Sequence, residues 1–334
     1  MQSGADGRGA KAATSLMRLS IITPAFNEAE NLEVMYARLS AAVAAAGLDW
    51  EWVVVDDHSR DATFDVLRRL AIRDPRVRGL RLSRNSGSHT AIACGLHHVT
   101  GDAAVVLAGD LQDPPETLAS MLAEWRAGAQ VVWAVRRERA GESMPTLGFS
   151  RIYYFIMRHV VGMREMPATG ADFFLADRIV IDAFRRFPER HVSVLALVTW
   201  MGFRQAFIGY DKQRRHAGQS GWTLAKKVKL VVDSITGFTD VPIRLCSYVG
   251  ALLILAGVLT GLASLLFLPA LGAGLMLVLA IVIGLAGVQL LALGVVGEYV
   301  WRALDEARRR PPYLIEAIAG TVPQPVPQPI PMHE

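Results

Sequence analysis

At 334 residues the chain is long enough for one large domain or two medium ones. Hydrophobic residues make up 52% of it and charged residues only 20%, and the apolar excess lies near the C-terminus, which points to membrane spans, with a buried core hairpin as the alternative. The net charge of +4, with basic residues clustered beside those apolar stretches, favours anionic headgroups or phosphates over a nucleic-acid groove, and two cysteines, Cys94 and Cys246, provide no disulfide framework.

Residues 1 to 18 are rich in Gly, Ala and Ser without an apolar core, so they read as a flexible N-terminus without a signal peptide, and the domain that follows is expected in the cytoplasm. Leu19–Pro24 reads as a first strand, followed by a helix to about Ala46. Trp50–Asp56 reads as a second strand, Asp61–Ile72 has helical spacing, and Val77–Leu82 alternates as a third strand. Ser88–Val99 is a helix and Ala103–Leu107 a fourth strand. Strands alternating with helices predict an α/β fold with a mostly parallel sheet wrapped on both faces, spanning residues 19–223. In such sheets ligands sit at the carboxyl ends of the strands. Three polar clusters fall at those ends, Asn27-Glu28, Asp56-Asp57 and Asp110 with Gln112, and together they imply one cleft.

The stretch after the fourth strand reads Ala108-Gly-Asp-Leu-Gln-Asp-Pro-Pro-Glu116. Pro114 and Pro115 stop the strand and Glu116 opens a helix-like run. Acidic and amide oxygens at a strand end, from Asp110 and Gln112, suit a hard cation such as Mg²⁺ or Mn²⁺, which would hold a diphosphate. Neither Gly-x-x-x-x-Gly-Lys-Ser/Thr nor Gly-x-Gly-x-x-Gly occurs, so neutralising a diphosphate falls to a metal and arginines.

From Leu245 to Gly297 there is no charged residue, enough for two spans of roughly 20 residues each. Pro269–Gly274 is the natural break, so spans are expected at about 245–268 and 275–297. Lys226, Lys227, Lys229 and Arg244 precede them, and Arg302, Arg308, Arg309 and Arg310 follow, which puts both outer ends in the cytoplasm. Residues 224–244 read as a juxtamembrane amphipathic segment, with an ordinary soluble helix as the alternative. Residues 298–320 read as a cytoplasmic segment, and the Pro-rich tail from Thr321 as extended and disordered.

Gly109-Asp110-Leu-Gln112-Asp-Pro-Pro-Glu116 is similar to the metal-site signature of family 2 glycosyltransferases. It looks most like the branch that moves a sugar from a nucleotide onto a polyprenyl phosphate, the dolichol-phosphate-mannose-synthase and GtrB-like enzymes. That branch carries an Asp where Ala108 stands here. Pro24-Ala-Phe-Asn-Glu28 and Asp56-Asp-His-Ser-Arg-Asp61-Ala-Thr63 resemble the family's first two nucleotide-binding segments. The resemblance implies that Pro24, Phe26 and Glu28 contact base and ribose, that Val55 and Asp57 complete that pocket, and that Gly109 and Asp110 adjoin the donor. Leu82–Ala91 resembles the Asn-x-Gly loop, with Arg84 toward the nucleotide phosphates. Arg136, Arg139 and Arg151 are implied to face phosphate groups, which guanidinium forks suit. Thr169–Arg178 resembles the segment with the catalytic carboxylate, here Asp172. A lipid phosphate has a second pKa of ~6 and is mostly ionised at neutral pH. Asp172 is therefore open to three roles, as base, as sugar-orienting group, or as stabiliser of charge at the anomeric carbon. Arg215 and Ser220 lie on a segment like the acceptor-side loop, where Gly221 and Trp222 replace the family's Lys and Tyr.

The resemblance covers Leu19 to Tyr313 and implies a GT-A-type Rossmann-like sheet followed by two C-terminal transmembrane helices. It implies inverting transfer from a UDP- or GDP-linked sugar to a polyprenyl phosphate with Mg²⁺ or Mn²⁺, and it allows a homo-oligomer. Two alternatives stay open: a non-catalytic membrane protein on the same scaffold, motivated by Ala108 and Gly221, and a processive polysaccharide synthase, against which two spans argue. The acidic cleft disfavours a nucleic-acid partner.

Overall fold

The computed structural model describes residues 17–137, 154–160, 171–187, 193–213, 224–239, 241–267 and 271–321. Eight strands form one sheet: β1 (Arg18–Ala25), β2 (Asp49–Asp56), β3 (Val77–Leu82), β4 (Ala103–Val106), β5 (Val131–Arg136), β6 (Ala171–Asp177), β7 (Gln205–Tyr210) and β8 (Ile315–Ala319). Their order across the sheet is β7-β5-β6-β4-β1-β2-β3-β8. β1 pairs in parallel with β2 and β4, β2 with β3, and β5 with β7. β6 runs antiparallel between β4 and β5, and β8 antiparallel along β3. Six strands therefore point one way, and the mostly parallel α/β sheet read from the sequence is present.

Successive residues of a strand face opposite sides of the sheet, and both sides are covered by helices. Ile21, Trp52, Val54 and Val105 face α1 (Ala29–Ala46), α2 (Thr63–Arg73) and α4 (Leu118–Arg126), against Leu32, Met35, Leu39, Leu67 and Met121. Their neighbours Ile22, Val53, Val106 and Trp133 face α3 (Ser88–His98), α5 (Arg178–Phe184) and α6 (Val194–Trp200), against Ile92, Leu96, Ile181 and Val198. The helix leaving β1 and the helix entering β4 thus lie on opposite faces. That reversal opens a crevice beyond the carboxyl ends of β1 and β4, where ligands of open α/β sheets bind.

The chain then runs through α7 (Leu224–Phe238), α8 (Val241–Phe267) and α9 (Leu271–Ala307). The two expected spans are met in part. Among the described residues one stretch, Gly284–Ala307, is long and apolar enough to cross a membrane, and none of it is buried within the fold. The helix itself extends past the expected span end at residue 297. Helix α9 runs on to Ala307 because the charges beyond Gly297 are tolerated on one side of the helix: Arg302 bonds Glu298 of its own helix at 2.9 Å and Asp233 of α7 at 2.7 Å. Tyr299 Oη donates to the Thr239 carbonyl at 2.7 Å, which further ties α9 to the end of α7. Within the segment 298–320, β8 returns to the sheet and completes its edge. Tyr313 anchors that return against the rings of His97 and His98 on α3.

Candidate active site

All six parallel strands end on one edge, and the two antiparallel strands begin there. The turns at that edge are strained. Among the described residues four non-glycine residues have positive φ, and three of them, Asn27 (58°), His58 (61°) and Leu111 (60°), lie just beyond β1, β2 and β4. Such conformations persist only where surrounding contacts over-determine them, and they gather at functional sites.

Those contacts are explicit. The loop after β2 holds the start of α1. Asn27 N donates to Ser59 Oγ at 2.9 Å, Glu28 N to Thr63 Oγ1 at 2.9 Å, and Ala29 N to Asp61 Oδ2 at 3.2 Å. In return Arg60 N donates to Asn27 Oδ1 at 2.8 Å. Orphan amides of the α1 N-terminus are thus satisfied from a neighbouring loop instead of by an N-cap of their own. Asp57 is buried, and its two oxygens accept from Ser86 N (2.7 Å) and Gly87 N (2.8 Å), which pins the loop after β3 beside it. Gly87 takes φ 91°, a conformation that favours glycine at this close turn.

The turn after β4 is clamped in the same way. Gln112 N donates to Asp110 Oδ1 at 3.2 Å, and the Gln112 carbonyl accepts from Gln213 N at 2.9 Å. Buried Asp113 accepts from Tyr210 Oη at 2.8 Å, and Arg38 reaches both Glu116 (2.7 Å) and Gln213 (3.0 Å). Leu111 turns its side chain into the core and so leaves Asp110 and Gln112 on either side of it. A Cβ on Gly109 would lie 3.3 Å from Glu28 Cγ and 3.5 Å from the Pro24 carbonyl oxygen. The β1 and β4 turns therefore touch across the crevice.

The residues singled out from the sequence fall as follows. Pro24, Phe26, Glu28, Asp57, Arg84, Gly109, Asp110, Gln112 and Arg136 all lie at this edge, with Phe26 40% exposed and Arg84 open to solvent. Val55 is the exception, being wholly buried in the cluster on the α3 face. Arg139, Arg151, Arg215 and Ser220 lie outside the described residues. Asp172 is placed by its backbone. β5 and β6 pair Ala134 with Phe173 and Val135 with Ala171, so Asp172 is the extra residue of a β-bulge at the cleft edge. Bulges are enriched beside active sites, where they re-aim a side chain. The stitching residues Ser59, Asp61, Thr63, Asp113 and Tyr210 carry the geometry, and sequence reasoning gave them no role. Their signal was weak: Ser, Thr and Asp in a polar loop after a strand.

The donor set was weighed against a divalent cation. Among the described residues no group of three His, Cys, Asp or Glu side chains gathers to hold a metal. What the crevice offers is one carboxylate, Asp110, one amide, Gln112, and the Glu28 side chain packed against Gly109. This fits a Mg²⁺-like ion that draws its remaining oxygens from substrate phosphates and water, and does not fit an all-protein cage.

Comparison with known proteins follows the same lines. The family described as glycosyl transferase family 2 matches residues 20–184. An uncharacterized glycosyltransferase of Bacillus subtilis, YkcC, is 35% identical over 307 residues, covering 91% of this chain and 95% of its own. The bactoprenol glucosyl transferase of Shigella phage SfX is 30% identical over 304 residues, covering 90% of this chain and 99% of its own. Among solved structures, glucosyl-3-phosphoglycerate synthase from Mycobacterium tuberculosis superposes with a TM-score of 0.49 at 17% identity, over 68% of this chain and 82% of that one.

One histidine beside the pinned loop is silent at neutral pH. Burial pushes His89, in the first turn of α3, down to about 4 from its ordinary 6.5, against a weaker upward pull from Asp233, and its Nδ1 is buried without a partner. Its folded value lies below its unfolded one, so the stability present above pH 6.5 is lost as pH falls toward about 4. Replacing it by the neutral His89→Asn should flatten the decline in melting temperature across that window. Parallel pH profiles for the two proteins would contradict this assignment.

Proposed function

The chain belongs to glycosyl transferase family 2, and from that premise we propose that it transfers a sugar from a nucleotide diphosphate-sugar to a polyprenyl phosphate held in the membrane, with inversion at the anomeric carbon. The observation that carries the acceptor is the extent of the match to relatives named bactoprenol glucosyl transferase. Covering 90% of this chain and 99% of the phage protein leaves room only for the chain ends, so the shared length includes the C-terminal helices as well as the sheet.

In this reading the donor lies in the crevice between the β1 and β4 turns. Pro24, Phe26 and Glu28 face the base and ribose with Asp57, whose loop is already fixed by Ser86 and Gly87. Arg84 and Arg136 meet phosphate oxygens, as do Arg139 and Arg151. Asp110 and Gln112 would hold Mg²⁺ or Mn²⁺ shared with the diphosphate. When bound, the cation neutralises charge on the departing nucleoside diphosphate. An oxygen of the lipid phosphate attacks the anomeric carbon from the face opposite the diphosphate. The C1–oxygen bond to the nucleotide breaks, and its electron pair leaves with the nucleoside diphosphate. Asp172, the extra residue of the bulge, orients the sugar or stabilises the positive charge growing at C1, since the acceptor is already mostly ionised. Arg215 and Ser220 serve the acceptor side.

Connectivity supports an even number of crossings in this reading. β7 and β8 belong to one sheet, so the chain between them leaves and returns to the same side. The number of crossings between them is therefore even. Gly284–Ala307 supplies one, and α8, with 27 residues, is the helix long enough for the other, at about 40 Å against a ~30 Å hydrocarbon core. In this reading the protein is a two-span membrane enzyme with its sheet, α7 and C-terminal end in the cytoplasm, and the one long apolar stretch, Gly284–Ala307, supports the membrane association. The spans keep the site beside its lipid acceptor, so local concentration replaces affinity for a soluble one.

Two outcomes test this. Transfer of radiolabelled sugar to undecaprenyl phosphate, screened with UDP- and GDP-sugars and with a glucosyl donor first, should require divalent cation. It should fall by about 100-fold or more in Asp110→Asn at unchanged melting temperature. Undiminished transfer in that variant, or in EDTA, defeats the metal reading. For topology, in a background lacking Cys94 and Cys246, a membrane-impermeant maleimide applied to intact cells should label Leu271→Cys and spare Arg310→Cys. Equal labelling of the two positions contradicts the even crossing.

A further inference from the structure

The strand that returns from the membrane carries a second bulge at the cleft edge. β3 and β8 pair Arg81 with Ala317 and Leu82 with Ile315, so Glu316 is the extra residue, lying outside the 20–184 region that the family description covers. Its carboxylate meets two side chains. Arg81 Nε donates to Glu316 Oε1 at 2.6 Å, and His58 Nδ1 lies 3.7 Å from Oε2. Arg81 then spends its other nitrogens on the loop after β2. Nη1 donates to Asp56 Oδ2 and Nη2 to the Ser59 carbonyl, both at 3.0 Å. Asp56 is wholly buried, and its other oxygen accepts from Ser59 N at 2.9 Å. Ser59 Oγ in turn holds Asn27 N, next to Glu28. His58, in a left-handed conformation, lies 3.0 Å from the Leu82 carbonyl through Nδ1.

We infer that Glu316 is a positioning residue for the donor pocket. Acting through Arg81, the C-terminal strand sets the loop that carries Asp57 and braces the turn that carries Glu28. The physical reason is the fork of Arg81. A guanidinium bonded on one side only can swing, whereas one held at Nε by a carboxylate presents Nη1 and Nη2 in a fixed plane to Asp56 and Ser59. The bulge is what turns Glu316 toward that fork, because a regular strand would place successive side chains on alternate faces. The inference rests on the donor-site reading above. It adds that the pocket is incomplete until the chain has passed through its membrane helices and come back. Arg81 and Glu316 touch no reacting atom in this scheme. Their effect is on donor affinity.

The test uses the full-length protein in detergent, with UDP-glucose and GDP-mannose as donor probes in Mg²⁺ and undecaprenyl phosphate as acceptor. Glu316→Gln keeps size and hydrogen bonding and removes the charge. It should raise the donor KM by about 3- to 10-fold with kcat within about twofold, and leave the acceptor KM unchanged. Glu316→Asp should recover part of the loss. Arg81→Gln should be at least as severe, and the double variant no worse than Arg81→Gln alone, because one residue acts through the other. A donor KM unaltered in Glu316→Gln, fully additive effects, or donor and acceptor KM rising together with a lowered melting temperature each overturn the inference while the donor site stands. A wild-type protein that neither binds nor turns over either nucleotide-sugar overturns the donor site and this inference together.

Discussion

Everything at the candidate site depends on a directional constraint. Six strands run the same way, so six sets of carboxyl-end turns converge on one edge, and the change of face between α1 and α3 leaves the β1 and β4 turns uncovered. Polar groups can collect there because the edge faces solvent while the strands beneath are buried on both faces. The left-handed residues Asn27, His58 and Leu111 show what the arrangement costs locally. Each is an unfavourable conformation for a side-chain-bearing residue, of order 1–3 kcal/mol; Asn27 and His58 are held by bonds to neighbouring loops, and Leu111 by burial of its side chain. The site is over-determined by its surroundings, as preorganised chemistry requires.

The two antiparallel strands add what a purely parallel sheet lacks. Each enters the sheet at the cleft edge, each carries a bulge there, and the extra residue is acidic in both cases, Asp172 on β6 and Glu316 on β8. One bulge faces the sugar-transfer side in the proposed reaction and the other braces the nucleotide side. β8 also joins the C-terminal helices to the sheet mechanically. Between β7 and β8 the chain traverses α7, α8 and α9, and the Arg302–Asp233 and Tyr299–Thr239 contacts tie the last helix to the first before the chain rejoins β3.

Much of this was legible in the residues. The first four strands and three helices could be read almost to their ends, because short apolar runs and helically spaced stretches are bounded by Gly, Pro and Asp. The convergence of Asn27-Glu28, Asp56-Asp57 and Asp110 with Gln112 was legible for the same reason, since each cluster directly follows such a run. What could not be read was pairing over distance. β6 begins Ala-Asp-Phe-Phe-Leu-Ala and shows no alternation because both its faces are buried. β8, with only five residues after a Pro-Pro pair, looks like tail. Nothing local says that Glu316 will lie beside Arg81, 235 positions away. The burial of the Val55 side chain was equally hidden, since adjacency to Asp56 and Asp57 in sequence does not place it on the same side of the strand end. The capping roles of Ser59, Asp61 and Thr63 were hidden because their partners sit on another helix.

The central claim, that a nucleotide-sugar occupies the crevice between the β1 and β4 turns, is tested most directly by hydrogen–deuterium exchange of the full-length protein in detergent, with and without UDP- or GDP-sugar and Mg²⁺. The account predicts slowed exchange in residues 26–31, 57–61, 84–88 and 108–113, and unchanged exchange at the opposite edge of the sheet, residues 74–77 and 99–102. Protection confined to that opposite edge, or to α5 and α6, would contradict it.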